Sequence, residues 1–106
     1  MSFAGTHTAL VTPFRDGHFD TTAFQSLIEA QIAAGITGII PVGTTGESPT
    51  LDHEEHLKVI EVAVQTAAGR CQVIAGTGSN STTEAVSLTQ AAEKLGASAA
   101  LLVAPY

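Results

Sequence analysis

Basic residues are scarce in this chain. Arg15, Lys58, Arg70 and Lys94 are the whole complement against ten carboxylates, for a formal net charge of -6. The four are scattered rather than gathered on one face, so neither nucleic acid nor an anionic membrane surface suits it as a partner. Long apolar runs are missing too. No window reaches the roughly eighteen uncharged apolar residues of a spanning helix, and the opening "MSFAGTHTAL" has neither a basic n-region nor a long apolar h-region. These absences predict a cytoplasmic protein. Cysteine occurs once, as Cys71 in "CQVIAG", which excludes an internal disulfide and reads as a small buried hydrophobe.

What is present is the composition of a packed core. Of 106 residues, 44% are hydrophobic and 13% charged, far from the make-up of a disordered chain. Four apolar runs, "THTALVT" (6–12), "TGIIPV" (37–42), "CQVIAG" (71–76) and "SAALLVA" (98–104), mostly lack alternation, as strands buried on both faces of a parallel sheet do. Between them lie three segments with helical periodicity. The first follows Thr21 or Thr22 as N-cap, puts Phe24, Leu27, Ile28 and Ile32 on one stripe, and stops at Gly35. The second opens on Asp52 and Glu55 at capping-box spacing, turns Leu57, Ile60 and Val64 inward, and ends at Gly69. The third opens on Ser81 and Glu84 and ends at Gly96. The order β-α-β-α-β-α-β fits both the doubly wound open sheet and the (β/α)8 barrel, which periodicity does not separate. The ending "LLVAPY" follows a strand directly, with no helix to cover it, and predicts a sequence that is cut off.

In either architecture ligands bind where strands end and helices begin. That rule selects "PFRDGHFD", "GTTGESP", "GTGSNS" and the terminal "PY". In the second segment Gly43 and Gly46 allow a tight turn with exposed amides, and Thr44 and Thr45 add hydroxyls. Such a set suits a carboxylate or phosphate held without any cation, although a plain βα turn would read the same way. No Walker lysine follows the glycines, and "GTGSNS" has Ser81 where a dinucleotide fingerprint needs its third glycine. His53 and His56 in "HEEH" are three apart rather than the four of the zincin pattern, so no metal site is assigned. Pattern alone makes them two solvated histidines in a helix's first turn, or part of a partly buried polar pocket.

"TALVTPF", "GIIPVGTTGESPTLDHEEH", "VIAGTGSNST" and "LLVAPY" resemble, in order and spacing, the dihydrodipicolinate synthase family. These are pyruvate-dependent class I lyases that also include N-acetylneuraminate lyase, and the doubled threonine of "GTTGE" is similar to the synthase branch. The resemblance covers essentially the whole chain. It implies a (β/α)8 TIM barrel of which residues 1–106 are the N-terminal half, with four parallel strands, three helices, no second domain and no cofactor. It implies that pyruvate, held as a Schiff base on a strand-six lysine, condenses with aspartate semialdehyde on the route to lysine, in a homo-oligomer. By position, Thr45 with the turn of Gly43 and Gly46 would hold the pyruvate carboxylate, and Thr44 would be a catalytic hydroxyl in a relay shared with tyrosines. A feedback site for lysine at a dimer interface would use Ser48, Pro49, His53, His56, Asn80, Glu84 and Tyr106, with Pro49 in place of the family's alanine. Lys58 and Lys94 both fall on predicted helices and Tyr106 is the sole tyrosine, so these residues alone are expected to show no turnover. Further readings stand beside this one: a non-catalytic half-barrel that pairs with another copy and binds lysine, another pyruvate-dependent lyase of the N-acetylneuraminate lyase superfamily, and a nucleotide-binding open sheet.

Overall fold

A computed structural model of the chain describes residues 2–105; Tyr106, expected over the inhibitor pocket, lies outside the described residues. Four short strands form one parallel sheet: β1 (His7–Ala9), β4 (Gly38–Ile40), β5 (Gln72–Gly76) and β6 (Ala99–Leu101), in the order β1-β4-β5-β6. Helices α1 (Thr21–Ala33), α2 (His53–Ala67) and α3 (Thr82–Leu95) connect them. The strand order follows the chain without a reversal, and α1 packs on α2 and α2 on α3, so the helices line one side of the sheet. A doubly wound sheet reverses its order at a switch point and carries helices on both faces. The topology thus decides what periodicity left open: this is an incomplete (β/α)8 barrel, four strands of wall with their outer helices.

The core lies between sheet and helices. Ile39 of β4 pairs in register with Val73 of β5, and with Ala75 these side chains are buried against Phe24, Ile28, Val59, Ile60 and Ala63. Leu27, Ile32, Leu57 and Val64, expected to face inward, are partly buried at the margin of this cluster. Helix ends follow local chemistry. Asp52 and Ser81 cap α2 and α3 by accepting from the amides of Glu55 and Glu84. For α1 the expected caps, Thr21 and Thr22, are corrected by one residue: Asp20 caps it, its carboxylate accepting from the Ala23 amide at 3.0 Å. A carboxylate at the positive end of a helix outcompetes a hydroxyl one residue later.

The segment after β1 is not a plain loop. Phe14–Arg15 (β2) and His18–Phe19 (β3) form an antiparallel hairpin closed by Asp16 and Gly17, both at positive φ. Its base is closed by the Asp20 amide, which donates to the Pro13 carbonyl at 2.9 Å, and it is fastened to α1 by Phe19, whose ring meets Phe24 edge-on with centroids 5.4 Å apart. Phe24 is therefore shared by hairpin, helix and core. Replacing Phe24 with Ala is expected to lower unfolding free energy by about 3–5 kcal/mol, measured by urea denaturation; a loss near that of an exposed site would contradict this placement.

Candidate functional site at the strand mouths

The chain leaves β4 through Pro41 and Val42. Val42 has φ 49°, in the left-handed region that a β-branched side chain rarely enters. The neighbouring strand explains how it is held. Gly76, the last residue of β5, donates its amide to the Pro41 carbonyl at 2.9 Å, and a Cβ on Gly76 would come within 2.2 Å of the Val42 carbonyl oxygen. Only a residue without a side chain lets β5 pass the Val42 peptide so closely. Backbone strain of this kind persists where the surroundings over-determine it, and such places are often functional.

From Val42 the chain enters the turn of Gly43 to Gly46. Three amides are spent on closing it: Gly46 and Ser48 donate to the Gly43 carbonyl and Glu47 donates to that of Thr44, at 3.0, 3.4 and 3.0 Å. The amides and hydroxyls of Thr44 and Thr45 are different. Both residues are exposed, and among the described residues none of these donors has an acceptor. The turn thus presents unspent neutral donors at the carboxyl end of β4, which is what a carboxylate receptor without a cation requires.

Beyond the turn, Ser48–Thr50 form one turn of 3-10 helix with Pro49 at its start, an element absent from the sequence reading. Between this segment and the start of α3 lies a cleft of about 320 Å³, lined by Thr44, Ser48, Pro49, Asn80 and Glu84, with Gly76 in its wall. Residues assigned by resemblance to two different sites therefore share one cavity. Thr45, Gly46 and His53 are not among its lining residues. Lys58 lies in α2 and Lys94 in the last turn of α3; both are exposed and neither lines the cleft. Among the described residues no three His, Cys, Asp or Glu side chains gather as a metal site would require, and no helix is long and apolar enough to cross a membrane.

The histidines part company. His53 is exposed, as pattern alone suggested, whereas His56 is 2% exposed and its Nε2 lies 2.6 Å from the Gly76 carbonyl. The expectation of two solvated histidines is corrected for His56: the wall formed by β5 and α2 closes over it. A carbonyl can only accept, so Nε2 carries the proton and the neutral ring is the Nε2–H tautomer. Burial pushes the His56 pKa below its ordinary value of 6.5, opposed by the bond to Gly76 and the charge of Glu84 and aided by His53. Cys71, just before β5, is half-buried against the core, and burial pushes its thiol up, away from nucleophile chemistry. Two residues that shape the site were not singled out as site residues from the sequence: Val42, and Gly76, which was read only as part of the segment "GTGSNS". For Gly76 the signal was a glycine at a strand's end; for Val42 there was none.

A model of the dihydrodipicolinate synthetase family matches residues 2–106. The 4-hydroxy-tetrahydrodipicolinate synthase of Rhodopseudomonas palustris is 62% identical over 99% of this chain and 36% of its own length. Among solved structures, the dihydrodipicolinate synthase of Acinetobacter baumannii complexed with pyruvate superposes with a TM-score of 0.95 at 49% identity, over 99% of this chain and 36% of that one. The synthase of Cyanidioschyzon merolae with lysine bound gives 0.93 at 44%, over 98% and 36%. The chain spans about a third of the length of the curated relatives it matches.

Two outcomes follow from the geometry. Gly76→Ala drives a methyl into the Val42 carbonyl, where both partners are backbone; it should cost about 1–3 kcal/mol or more in urea unfolding, and a neutral result would refute the close approach. Because folding disfavours the His56 imidazolium, the stability it contributes is fully present above pH 6.5 and is lost as pH falls through its lower folded value. His56→Gln, which keeps an N–H donor, should remove that component of the stability–pH curve as pH falls below 6.5; an unaltered slope there would contradict a buried neutral ring.

Proposed function

The chain belongs to the dihydrodipicolinate synthetase family, and from that premise we propose that it carries the carboxylate-binding part of a lyase that condenses pyruvate with aspartate semialdehyde in lysine biosynthesis. The single observation that carries the reading is the set of unspent donors on Thr44 and Thr45 at the mouth of a parallel strand. Thr45, with the amides of the Gly43–Gly46 turn, takes the keto acid's carboxylate. Thr44, which faces the cleft, is the hydroxyl that passes protons in a relay. The amine that forms the Schiff base comes from outside residues 1–106, because Lys58 and Lys94 stand on helices, exposed and away from the cleft. An amine of this kind must be desolvated to be nucleophilic near neutral pH. Residues 1–106 thus form one part of a single barrel domain, and by themselves they bind without turning over.

The same cleft accounts for feedback by lysine. Glu84 supplies a carboxylate for an ammonium group, Ser48 and Asn80 polar contacts, and Pro49 a wall. His56 lies behind Gly76 rather than in the lining and donates to its carbonyl; His53, at the exposed start of α2, belongs to the proposed set but not to the lining, and Tyr106, assigned to the set by resemblance, lies outside the described residues. Homo-oligomers of the whole protein would bring two such clefts together. The β6 end adds a reason for self-association of the chain itself, since Leu101, Leu102 and Val103 are 43, 59 and 44% exposed on the sheet's edge strand and the residues after it.

Trapping with pyruvate and borohydride tests the division of labour. No adduct is expected on Lys58 or Lys94, by mass spectrometry of the digested chain; a stable adduct on either would overturn it. In an amide-shift titration, Thr45→Val should weaken the response to pyruvate by about tenfold, the loss of one hydrogen bond to a charged group.

A further inference from the structure

Thr12 lies in the segment after β1, buried at 3% exposure between the core residue Leu10 and Pro13. A position so enclosed would bury Val more favourably, because a hydroxyl without a partner is costly there. The Thr12 hydroxyl has one: it donates to the carbonyl of Gly46 at 2.6 Å, across 34 residues of sequence. Gly46 closes the turn that presents Thr44 and Thr45, and it is wedged in place. A Cβ on it would meet the Leu10 carbonyl oxygen at 2.9 Å and the Val42 backbone at 3.0 Å. On its other side Thr12 is tied to the hairpin, whose far end returns through the Asp20 amide to the Pro13 carbonyl.

We propose that Thr12 is a positioning residue, its buried hydroxyl locking the Gly46 carbonyl so that the Thr44 and Thr45 donors are held ready for an anionic ligand. The inference rests on the carboxylate reading of that turn but is tested separately from it. The hairpin acquires a purpose in this scheme, since it fixes the corner from which Thr12 reaches the turn. A buried hydroxyl present only to satisfy itself would loosen the whole core when removed. A positioning hydroxyl loosens the turn and spares the helices.

The test uses the full chain, wild type and two variants, with amide hydrogen exchange followed residue by residue and pyruvate as the ligand. In Thr12→Val, which keeps the shape and removes the donor, exchange at Gly46, Glu47 and Ser48 should quicken at least tenfold while amides in the middle of α2 and in β5 stay within a factor of two. The pyruvate response of Thr44 and Thr45 should fall by a similar factor. Thr12→Ser, which keeps the donor, should restore both. Turn exchange unchanged in Thr12→Val, or turn and core quickening together, would overturn the proposal. So would a turn that opens in Thr12→Ser, the variant that decides the matter if Thr12→Val does not fold. Absence of any pyruvate response in the wild type would refute the carboxylate reading, while the exchange comparison still decides the part played by Thr12.

Discussion

The passage of Gly76 against the Val42 carbonyl is the constraint on which the rest of the site depends. Two neighbouring parallel strands end side by side there, and the approach is too close for any side chain on Gly76. One consequence runs along β4: Val42 is held in a left-handed conformation, and the chain turns away from the strand direction directly afterwards. A second runs along β5, where the Gly76 carbonyl faces inward and takes a hydrogen bond from buried His56. The turn of Gly43 to Gly46 starts from that fixed point. Its reversed backbone spends the later amides on itself and leaves those of Thr44 and Thr45 unspent.

The scarcity of basic residues is consistent with this design. A chain of net charge -6 that bound an anion through surface cations would have to gather them. Instead the donors available at the mouth of β4 are neutral, and the hydrogen bonds that close the turn set the course of the backbone that carries them. Thr12 extends the same economy, using a hydroxyl rather than an ion pair to join two loops.

Much of the architecture was legible in the chain. Continuous Val, Ile and Ala runs marked four parallel strands; β4 and β5 are largely buried as such runs suggest, whereas β1 and β6, at the two edges, are only partly covered, with Leu101 43% exposed. Asp52 and Ser81 were readable as caps because each stands three residues before a Glu. Asp20 was missed because three capping residues, Asp20, Thr21 and Thr22, stand in a row, and spacing does not rank them. The hairpin was missed although its signal was present: Asp16-Gly17 is the pair that a tight two-residue turn favours. The choice between barrel and open sheet depended on pairing order, which is long-range and leaves no local trace. The same holds for His56 and Thr12. A histidine in a helix's first turn and a threonine beside a proline look solvated until the strands that bury them are placed. The cavity joining Thr44 to Ser48, Asn80 and Glu84 is likewise a product of three loops meeting.

The most direct measurement is a crystal structure of this chain soaked with pyruvate at high concentration. The account predicts density for the carboxylate within about 3 Å, hydrogen-bond distance, of the Thr44 and Thr45 amides, with the carbonyl carbon unattached to any lysine. A carboxylate seated elsewhere, on Arg15 or a helix start for example, or one bonded covalently to Lys58 or Lys94, would contradict it.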